Sequence, residues 1–152
     1  MAKQFETYEQ VAQHLLNCFA SEFGLSCVEG KPQVKGEQSG VKWTIDAKGI
    51  RIGADGFVTV ECRRYTSSRL KQEHLAAIAF RIADTGAKGG IVVSPLELQR
   101  GARKLAQAKG ITEVRLNSGC NCQEFVLSFL NKVMIGVCDS VAITESISIR
   151  IS

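Results

Sequence analysis

Residues 57–65 read FVTVECRRY, and this stretch decides the fold because a run of strand-forming residues ends in a carboxylate beside two arginines. The residue types at 57–60 favour a pleated, half-buried surface, whereas Glu61, Arg63 and Arg64 carry charge. Alternate side chains of a strand point to opposite faces, so Glu61 and Arg63 share one face. The stretch therefore predicts a strand that ends either in a metal and phosphate site or in a plain surface ion pair.

Length and composition predict one soluble globular domain over residues 1–152. The chain is 45% hydrophobic and 22% charged, and its length is sufficient for a packed core without disulfides. No apolar run approaches the ~20 residues that a membrane helix needs, and the polar start MAKQFETYEQ is not typical of a signal peptide. We therefore expect a cytoplasmic protein with no membrane contact. The net charge of +4 is compatible with a polyanionic partner.

Six cysteines without a secretory signal indicate reduced thiols rather than a disulfide framework. Cys120 and Cys122 lie close together, but zinc takes four ligands and the two histidines, His14 and His74, fall on predicted helices far away in sequence. Zinc is therefore disfavoured. The other cysteines that we considered are expected to be small buried side chains, and they are Cys18, Cys27, Cys62 and Cys138.

The first half of the chain predicts a helix followed by strands. Apolar residues recur every four positions in residues 7–23, Thr7 has the spacing of a capping residue, and Gly24 follows as a stop. Three strand patterns then form an antiparallel meander, with the turn signal GADG between the last two. The three patterns cover residues 26–34, 41–53 and 57–65.

The second half alternates helices and strands. Residues 67–86 predict a helix with serines at its start and Gly86 at its end, and residues 89–95 predict a strand buried on both faces. Ser94 and Pro95 are expected to open a third helix, which ends near Gly110. A strand at residues 112–116 follows, so this half implies right-handed crossovers and a mostly parallel sheet. The fold class is therefore α/β with a mixed sheet.

The last 36 or so residues predict an extension of a helix and a strand. A helix within residues 123–134 has Asn121 as its candidate cap, and residues 141–152 alternate isoleucine with polar residues as in a half-buried strand. That strand is expected either to extend the sheet or to pair between subunits.

Two acids and two cations are expected to converge on the meander. On the middle strand, Asp46 and Lys48 share a face, and pairing through GADG would bring them beside Glu61 and Arg63. Two carboxylates that hold Mg²⁺, with a cation nearby, can hydrolyse a phosphodiester. The alternative is a set of solvated ion pairs, which contribute only ~0–1 kcal/mol each and are common without function.

The segments WTIDAKG, ECRRY, DTGAKGGIVVSP and AKGI, in this order, resemble the Mrr-type branch of the PD-(D/E)-x-K nuclease superfamily over residues 5–116. The resemblance implies a restriction endonuclease-like fold, with an α-β-β-β-α-β core flanked by helices and an extension at residues 117–152. It also implies that Asp46 and Glu61 bind the metal. Glu9, in the first predicted helix, corresponds to an acid that often assists metal binding in the family, although the helix macrodipole explains a glutamate there equally well.

Arg63 stands where the family has its catalytic lysine, and arginine does not deprotonate. Three interpretations follow: Arg63 stabilises charge in a working enzyme, Lys48 supplies the ammonium, or the site no longer catalyses. The catalytic candidates are therefore Asp46, Glu61, Arg63 and Lys48.

The leading hypothesis is a Mg²⁺-dependent DNA endonuclease of the Mrr-like type IV restriction class, in which Mn²⁺ can substitute, acting as a homodimer. The expected nucleic-acid contacts are Arg63, Arg64, Arg69 and Lys71. The second hypothesis is a catalytically inactive nuclease-like module that binds nucleic acid or a protein partner. A third is a structural protein that dimerises through its C-terminal segment.

Overall fold

The computed structural model describes residues 7–64, 67–118, 124–129, 132–137 and 140–147. Within these ranges the chain forms ten strands and three α-helices, with a short 3₁₀ helix, Ala20–Phe23, after the first. The helices are α1 (Tyr8–Cys18), α2 (Gln72–Thr85) and α3 (Arg100–Ala108). The strands are β1 (Leu25–Gly30), β2 (Gln33–Lys35), β3 (Lys42–Thr44), β4 (Ala47–Arg51), β5 (Phe57–Cys62), β6 (Gly89–Ser94), β7 (Ile111–Ser118), β8 (Glu124–Phe129), β9 (Lys132–Val137) and β10 (Ser140–Ile147).

One large mixed sheet has the strand order β1-β4-β5-β6-β7-β8-β9-β10. β5, β6 and β7 run parallel to their neighbours within this trio, and the other pairs of the large sheet are antiparallel. β2 and β3 form a separate antiparallel hairpin, which we call the ribbon. The predicted α/β fold with a mixed sheet is confirmed, although parallel pairing is confined to the trio.

The alternation within β5 divides the core into two layers. Val60 and Cys62 are buried in the cluster that packs under α1, whereas Thr59 and Glu61 are buried toward the opposite face. The second cluster joins α2 and α3 to Val92 of the neighbouring strand. β6 is buried along its whole length because helices cover both faces of the parallel trio. Glu61 therefore lies inside the protein, beneath α2.

The predicted strand at residues 41–53 is interrupted, so Asp46 lies just before the strand that carries Lys48 and not within one continuous strand with it. β3 ends at Thr44 and pairs with β2, while β4 begins at Ala47 and pairs with β1 and β5. The chain between them is fixed by two bonds, in which the Lys31 amide donates to the Asp46 carbonyl (3.0 Å) and the Ile45 amide donates to the Pro32 carbonyl (3.2 Å). Asp46 therefore stands at the junction of the ribbon and the large sheet.

Both crossover helices begin later than predicted. α2 begins at Gln72 rather than at the serines, and α3 begins at Arg100 rather than at the Ser-Pro pair. The segments before the two helices bond to each other instead: the Arg69 guanidinium donates to the carbonyls of Glu97 (3.2 Å) and Leu98 (2.9 Å). These contacts satisfy backbone groups without a helical turn.

The predicted C-terminal helix is wrong, because residues 124–129 and 132–137 form β8 and β9. Phe125, Leu127 and Phe129 are buried and Val126 is 37% exposed, which is the two-residue period of a strand with one covered face. The predicted terminal strand is confirmed as far as Ile147, and it extends the sheet by pairing with β9. Asn121, Cys120, Cys122 and Cys138 lie outside the described residues, as do residues 148–152.

Among the described helices, none is both long and apolar enough to cross a membrane. The cytoplasmic location and the organisation as one domain stay predictions. Of the described cysteines, Cys62 is buried as expected, whereas Cys18 is exposed and Cys27 is partly exposed.

Candidate active site

Asp46 and Glu61 meet where two neighbouring strands of the large sheet end, at the start of β4 and the end of β5. β4 and β5 pair Ala47 with Val60, so the antiparallel register carried one step further sets Asp46 opposite Glu61. The amide of Cys62 donates to Asp46 Oδ2 at 2.7 Å. The structure therefore brings together the two acids that the sequence singles out, and it fixes the orientation of the Asp46 carboxylate through the backbone of β5.

Arg63 lies against both acids. Its Nη1 is 3.8 Å from Asp46 Oδ2 and 3.6 Å from Glu61 Oε1, and the same nitrogen donates to the carbonyl of Cys62 at 3.1 Å. The Arg63 amide donates to the Val93 carbonyl at 2.8 Å, which continues the parallel ladder between β5 and β6. The backbone at Arg63 is thus fixed, while its side chain is partly exposed.

Glu61 is almost completely buried, with 1% of its surface exposed. Arg81 of α2 donates from Nη1 to Glu61 Oε2 at 2.5 Å. Burial raises the pKa of Glu61 above its ordinary value, and the negative charge of Asp46 acts in the same direction, while Arg81 and Arg63 oppose the rise. A buried carboxylate with an elevated pKa and two cation partners is typical of functional sites, although structural ion pairs also have this character.

Glu9 lies in the first turn of α1 and is partly buried. Burial raises the pKa of the Cys62 thiol well above its ordinary range, and the charges of Asp46, Glu9 and Glu61 raise it further. The charges of all three acids therefore act on one buried thiol. α1 is held in place by Tyr8, whose hydroxyl donates to the Leu116 carbonyl at 2.9 Å.

A second buried acid, Asp84, lies near the end of α2 and is saturated by uncharged donors. The amides of Gln38 and Ser39 donate to its Oδ1 (3.1 and 2.8 Å), and the Ser39 hydroxyl and Trp43 Nε1 donate to its Oδ2 (2.5 and 2.8 Å). These hydrogen bonds lower the pKa of Asp84 to about 2. The Arg81 Cζ lies 5.0 Å from the centroid of the Trp43 ring, so Trp43 connects Asp84 with the partner of Glu61.

Residues 9–125 match the family model of the Mrr catalytic domain, described as restriction endonuclease. The match covers more than half of the chain and includes every acid described above. The chain belongs to the Mrr-type restriction endonuclease family. The predicted resemblance to this branch of the PD-(D/E)-x-K superfamily is confirmed, and the mixed sheet with helices on both faces is the restriction endonuclease-like fold.

One solved structure with a similar fold is the crystal structure of a protein of unknown function, AF1548, with a TM-score of 0.58 and 18% sequence identity. The similar region covers 70% of this chain and 58% of that chain. At this identity the similarity supports the fold alone. Among curated proteins, no sequence matches this chain.

Lys48, the alternative source of the family's ammonium, points away from the acids of this Mrr-type domain. Its Nζ lies 4.7 Å from the centroid of the Phe57 ring. Phe57 is the first residue of β5, and Glu61 lies four residues further along the same strand. Four residues of strand span about 13 Å. The cation that the structure places beside the two carboxylates is therefore Arg63, and a second one, Arg81, is added from α2.

The predicted nucleic-acid contacts of the domain divide into two groups. Arg64 and Lys71 are exposed, whereas the Arg69 guanidinium is bonded to the carbonyls of Glu97 and Leu98. Arg69 therefore stabilises the entry to α3, although its side chain is also exposed.

Sequence reasoning missed Arg81, Trp43 and Asp84. The spacing of α2 contained a signal, because Arg81 lies three residues after the buried Ile78 and thus near the apolar face. A cation on such a face needs a buried partner. The identity of that partner depends on how α2 lies across β5, which periodicity does not give.

The donor set fits a divalent metal of the Mg²⁺ class. Asp46 and Glu61 offer carboxylate oxygens, and Mg²⁺ in proteins is usually held by one or two carboxylates together with waters and substrate phosphates. Within the described ranges, no group of three or more His, Cys, Asp or Glu side chains is arranged to hold a metal ion by itself. A metal here would therefore depend on oxygen ligands beyond these side chains.

Proposed function

We propose that this protein is a Mg²⁺-dependent endonuclease that hydrolyses phosphodiester bonds of DNA. The observation that supports the proposal most strongly is the meeting of Asp46 and Glu61 at the ends of two paired strands, beside a cation, within a restriction endonuclease domain. The domain family supports nuclease activity, and the proposal adds the metal, the residues and the DNA substrate.

Asp46 and Glu61 would hold the metal, with Glu9 as a third acid close by. The bound metal supplies a polarised phosphate and a water of lowered pKa. The protein's own contribution is orientation: the Cys62 amide holds Asp46 Oδ2, and Arg81 holds Glu61 Oε2. Arg81 holds one oxygen of Glu61, and the other oxygen, Oε1, lies 3.6 Å from Arg63 Nη1.

Arg63 is the residue that would stabilise charge on the phosphate. Its guanidinium is permanently charged and can bind two phosphate oxygens at once. A fixed cation close to a transition-state oxyanion stabilises it more strongly in a partly buried site than in water, and the Arg63 side chain is 27% exposed.

The ribbon and the exposed cations nearby are the proposed contacts for the DNA backbone. Lys35 and Lys42 lie directly opposite each other in the ribbon, and both are exposed. Like charges in opposite cross-strand positions are destabilising, and a bound phosphate would relieve that repulsion. The ribbon adjoins Asp46 through the Lys31 amide, so the lysines, Arg64 and Lys71 would hold the duplex over the acids.

The test is plasmid cleavage by the full chain in the presence of Mg²⁺ or Mn²⁺. Asp46→Ala and Glu61→Ala should each lower the cleavage rate by at least about 100-fold, which is the usual loss when an oriented ligand or charge is removed from an active site. Asp55→Ala removes an exposed acid from the turn between β4 and β5 and should leave the rate unchanged. Retained cleavage in Asp46→Ala, with the fold intact by circular dichroism, would falsify the assignment.

A catalytically inactive DNA-binding module is the second candidate, and the placement of Arg63 between the two acids favours it. Under this alternative the wild type binds DNA with strong salt dependence but shows no metal-dependent turnover. Arg63→Lys separates the two candidates. If the wild type is a working enzyme, Arg63→Lys keeps or gains activity. If the wild type is inactive and Arg63→Lys cleaves DNA, the arginine at position 63 is the reason that the wild type does not catalyse.

We also propose that the protein acts as a homodimer, as a nuclease that cuts both strands of a duplex often does. Sedimentation equilibrium of the full chain would show a mass twice that of one chain. A single-chain mass with double-strand cleavage would contradict the dimer without affecting the assignment of the acids.

A further inference from the structure

Three oxygen atoms surround one nitrogen of Arg63. Nη1 lies 3.1 Å from the Cys62 carbonyl oxygen, 3.6 Å from Glu61 Oε1 and 3.8 Å from Asp46 Oδ2. Two of these oxygens carry negative charge and the third is a backbone acceptor. Such a group of oxygens is the environment that a hard divalent cation prefers, and here an internal cation lies at its centre.

The remaining contacts of the two acids restrict how the group can rearrange. Glu61 Oε2 is taken by Arg81, and Asp46 Oδ2 also accepts the Cys62 amide. Glu61 is buried, so its carboxylate cannot turn to solvent for another partner. A divalent ion that binds Glu61 therefore has to approach Oε1, the oxygen that now faces Arg63.

We propose that the Arg63 guanidinium is an internal cation that competes with the divalent metal for Asp46 and Glu61. The inference rests on the proposed function, because it presumes that these acids bind metal. Two cations this close repel each other strongly in a partly buried site, so metal binding requires the Arg63 side chain to move away from the acids. The backbone of Arg63 stays fixed by its bond to the Val93 carbonyl, and the movement is confined to the side chain.

Competition has two consequences that a simple charge-stabilising role lacks. Without metal, Arg63 reduces the repulsion between Asp46 and Glu61, so its removal lowers the stability of the apoprotein. With metal, its removal strengthens binding. Arg63→Gln is therefore expected to be less stable than wild type without metal, and this difference in stability should shrink as the metal concentration rises.

The experiment is calorimetric titration of the full chain with MgCl₂ and, separately, MnCl₂, without DNA. Arg63→Gln should bind at least about tenfold more tightly than wild type, as expected when a unit charge within about 4 Å of the ligands is removed. Arg64→Gln is the matched control, because it removes the same charge one residue further on, from a side chain that is exposed. Asp46→Asn should abolish the binding in either background.

Direct observation of the side chain keeps the test decisive if Arg63→Gln folds poorly. In nitrogen-15 spectra of the wild type, the Arg63 side-chain signal should shift as Mg²⁺ is added, while that of Arg103 stays unchanged. Arg103 is a suitable control because it pairs with Glu97 and Glu113, away from the two acids.

The outcomes separate the two proposals. Equal metal affinity in wild type, Arg63→Gln and Arg64→Gln overturns the competition and leaves the metal-dependent function standing. An equal gain in Arg63→Gln and Arg64→Gln also overturns it, because the effect is then general electrostatics. If neither wild type nor folded Arg63→Gln binds metal, or if Asp46→Asn binds as wild type does, both the competition and the proposed metal site are wrong.

Discussion

Two buried carboxylates at the two ends of one network, Glu61 and Asp84, are held by opposite means. Both are essentially inaccessible, at 1% and 0% exposure. Glu61 is surrounded by the cations Arg81 and Arg63, and burial raises its pKa. Asp84 accepts four hydrogen bonds from uncharged donors, and these lower its pKa to about 2.

This difference means that Glu61 can exchange its partners, whereas the donors around Asp84 keep Asp84 in place. The donors around Asp84 are backbone amides, a hydroxyl and an indole, all of which need an acceptor inside the protein. Asp84 therefore fastens the ribbon to α2. The partners of Glu61 are cations, and a metal cation could replace one of them, which is why the proposed metal site includes Glu61 and not Asp84.

The largest expected effect comes from removing the cation that holds Glu61. Arg81→Met should lower the free energy of unfolding by about 3–5 kcal/mol, because it leaves a buried carboxylate without its main partner. Urea denaturation at pH 7 measures this loss. Arg81 Nε has no hydrogen-bond partner among the described residues, so the loss reflects the bond to Glu61 together with the contact with the Trp43 ring.

The double variant Glu61→Gln with Arg81→Met is the control for that prediction. It removes both charges and should recover most of the lost stability, since replacing both partners of a buried pair is often close to neutral. A single variant that costs less than about 1 kcal/mol would mean that the pair behaves like a solvated one.

The next effect concerns pH and tests the opposite character of Asp84. Because its folded pKa is lowered from 3.8 to about 2, Asp84 contributes stability above its unfolded pKa, and this contribution is lost as the pH falls toward 2. Asp84→Asn should therefore melt at a lower temperature than wild type near pH 6, and the two melting curves should converge near pH 2.

Asp55→Asn is the matched control, because it changes an exposed aspartate in the turn between β4 and β5. Its melting temperature should follow that of wild type across the whole range. A gap between wild type and Asp84→Asn that stays constant with pH would contradict the role of ionised Asp84, since it would indicate a loss of packing alone.

The smallest effect is expected at an acid that is neither buried nor part of the network. Glu22 pairs with Lys132 at 2.6 Å, with both side chains about one-third exposed. Lys132→Ala should change the free energy of unfolding by no more than about 1 kcal/mol, because solvent screens such a pair. A loss comparable with that of Arg81→Met would show that distance rather than burial sets the strength of these ion pairs.

Elements with a strong local period could be predicted from the sequence, and elements that depend on distant partners could not. The buried strand at β6 and the stop at Gly86 follow from local composition, and the structure has both. Residues 124–137 contain a mixed apolar pattern that a helix explains almost as well as a hairpin. Pairing with β7 decides in favour of strands, because the edge of the sheet offers backbone bonds that a helix there would leave unmade.

Within the candidate site, the sequence pointed to Asp46, Glu61 and Arg63, and these are the residues that lie together. It placed Lys48 with them as well, but the Lys48 ammonium lies over the ring of Phe57 instead. A period-two pattern does not show where a strand stops pairing with one sheet and starts pairing with another.

The sequence by itself determined the family, the order of the core elements and the face of β5 that carries Glu61. These follow from spacing along one chain segment, which alternation and capping chemistry fix locally. Only the tertiary structure decided that Arg81 is the partner of Glu61 and that Asp84 fastens the ribbon. Both contacts join residues at least 20 positions apart, so they depend on the position of α2 across the sheet, which the packing of two cores sets.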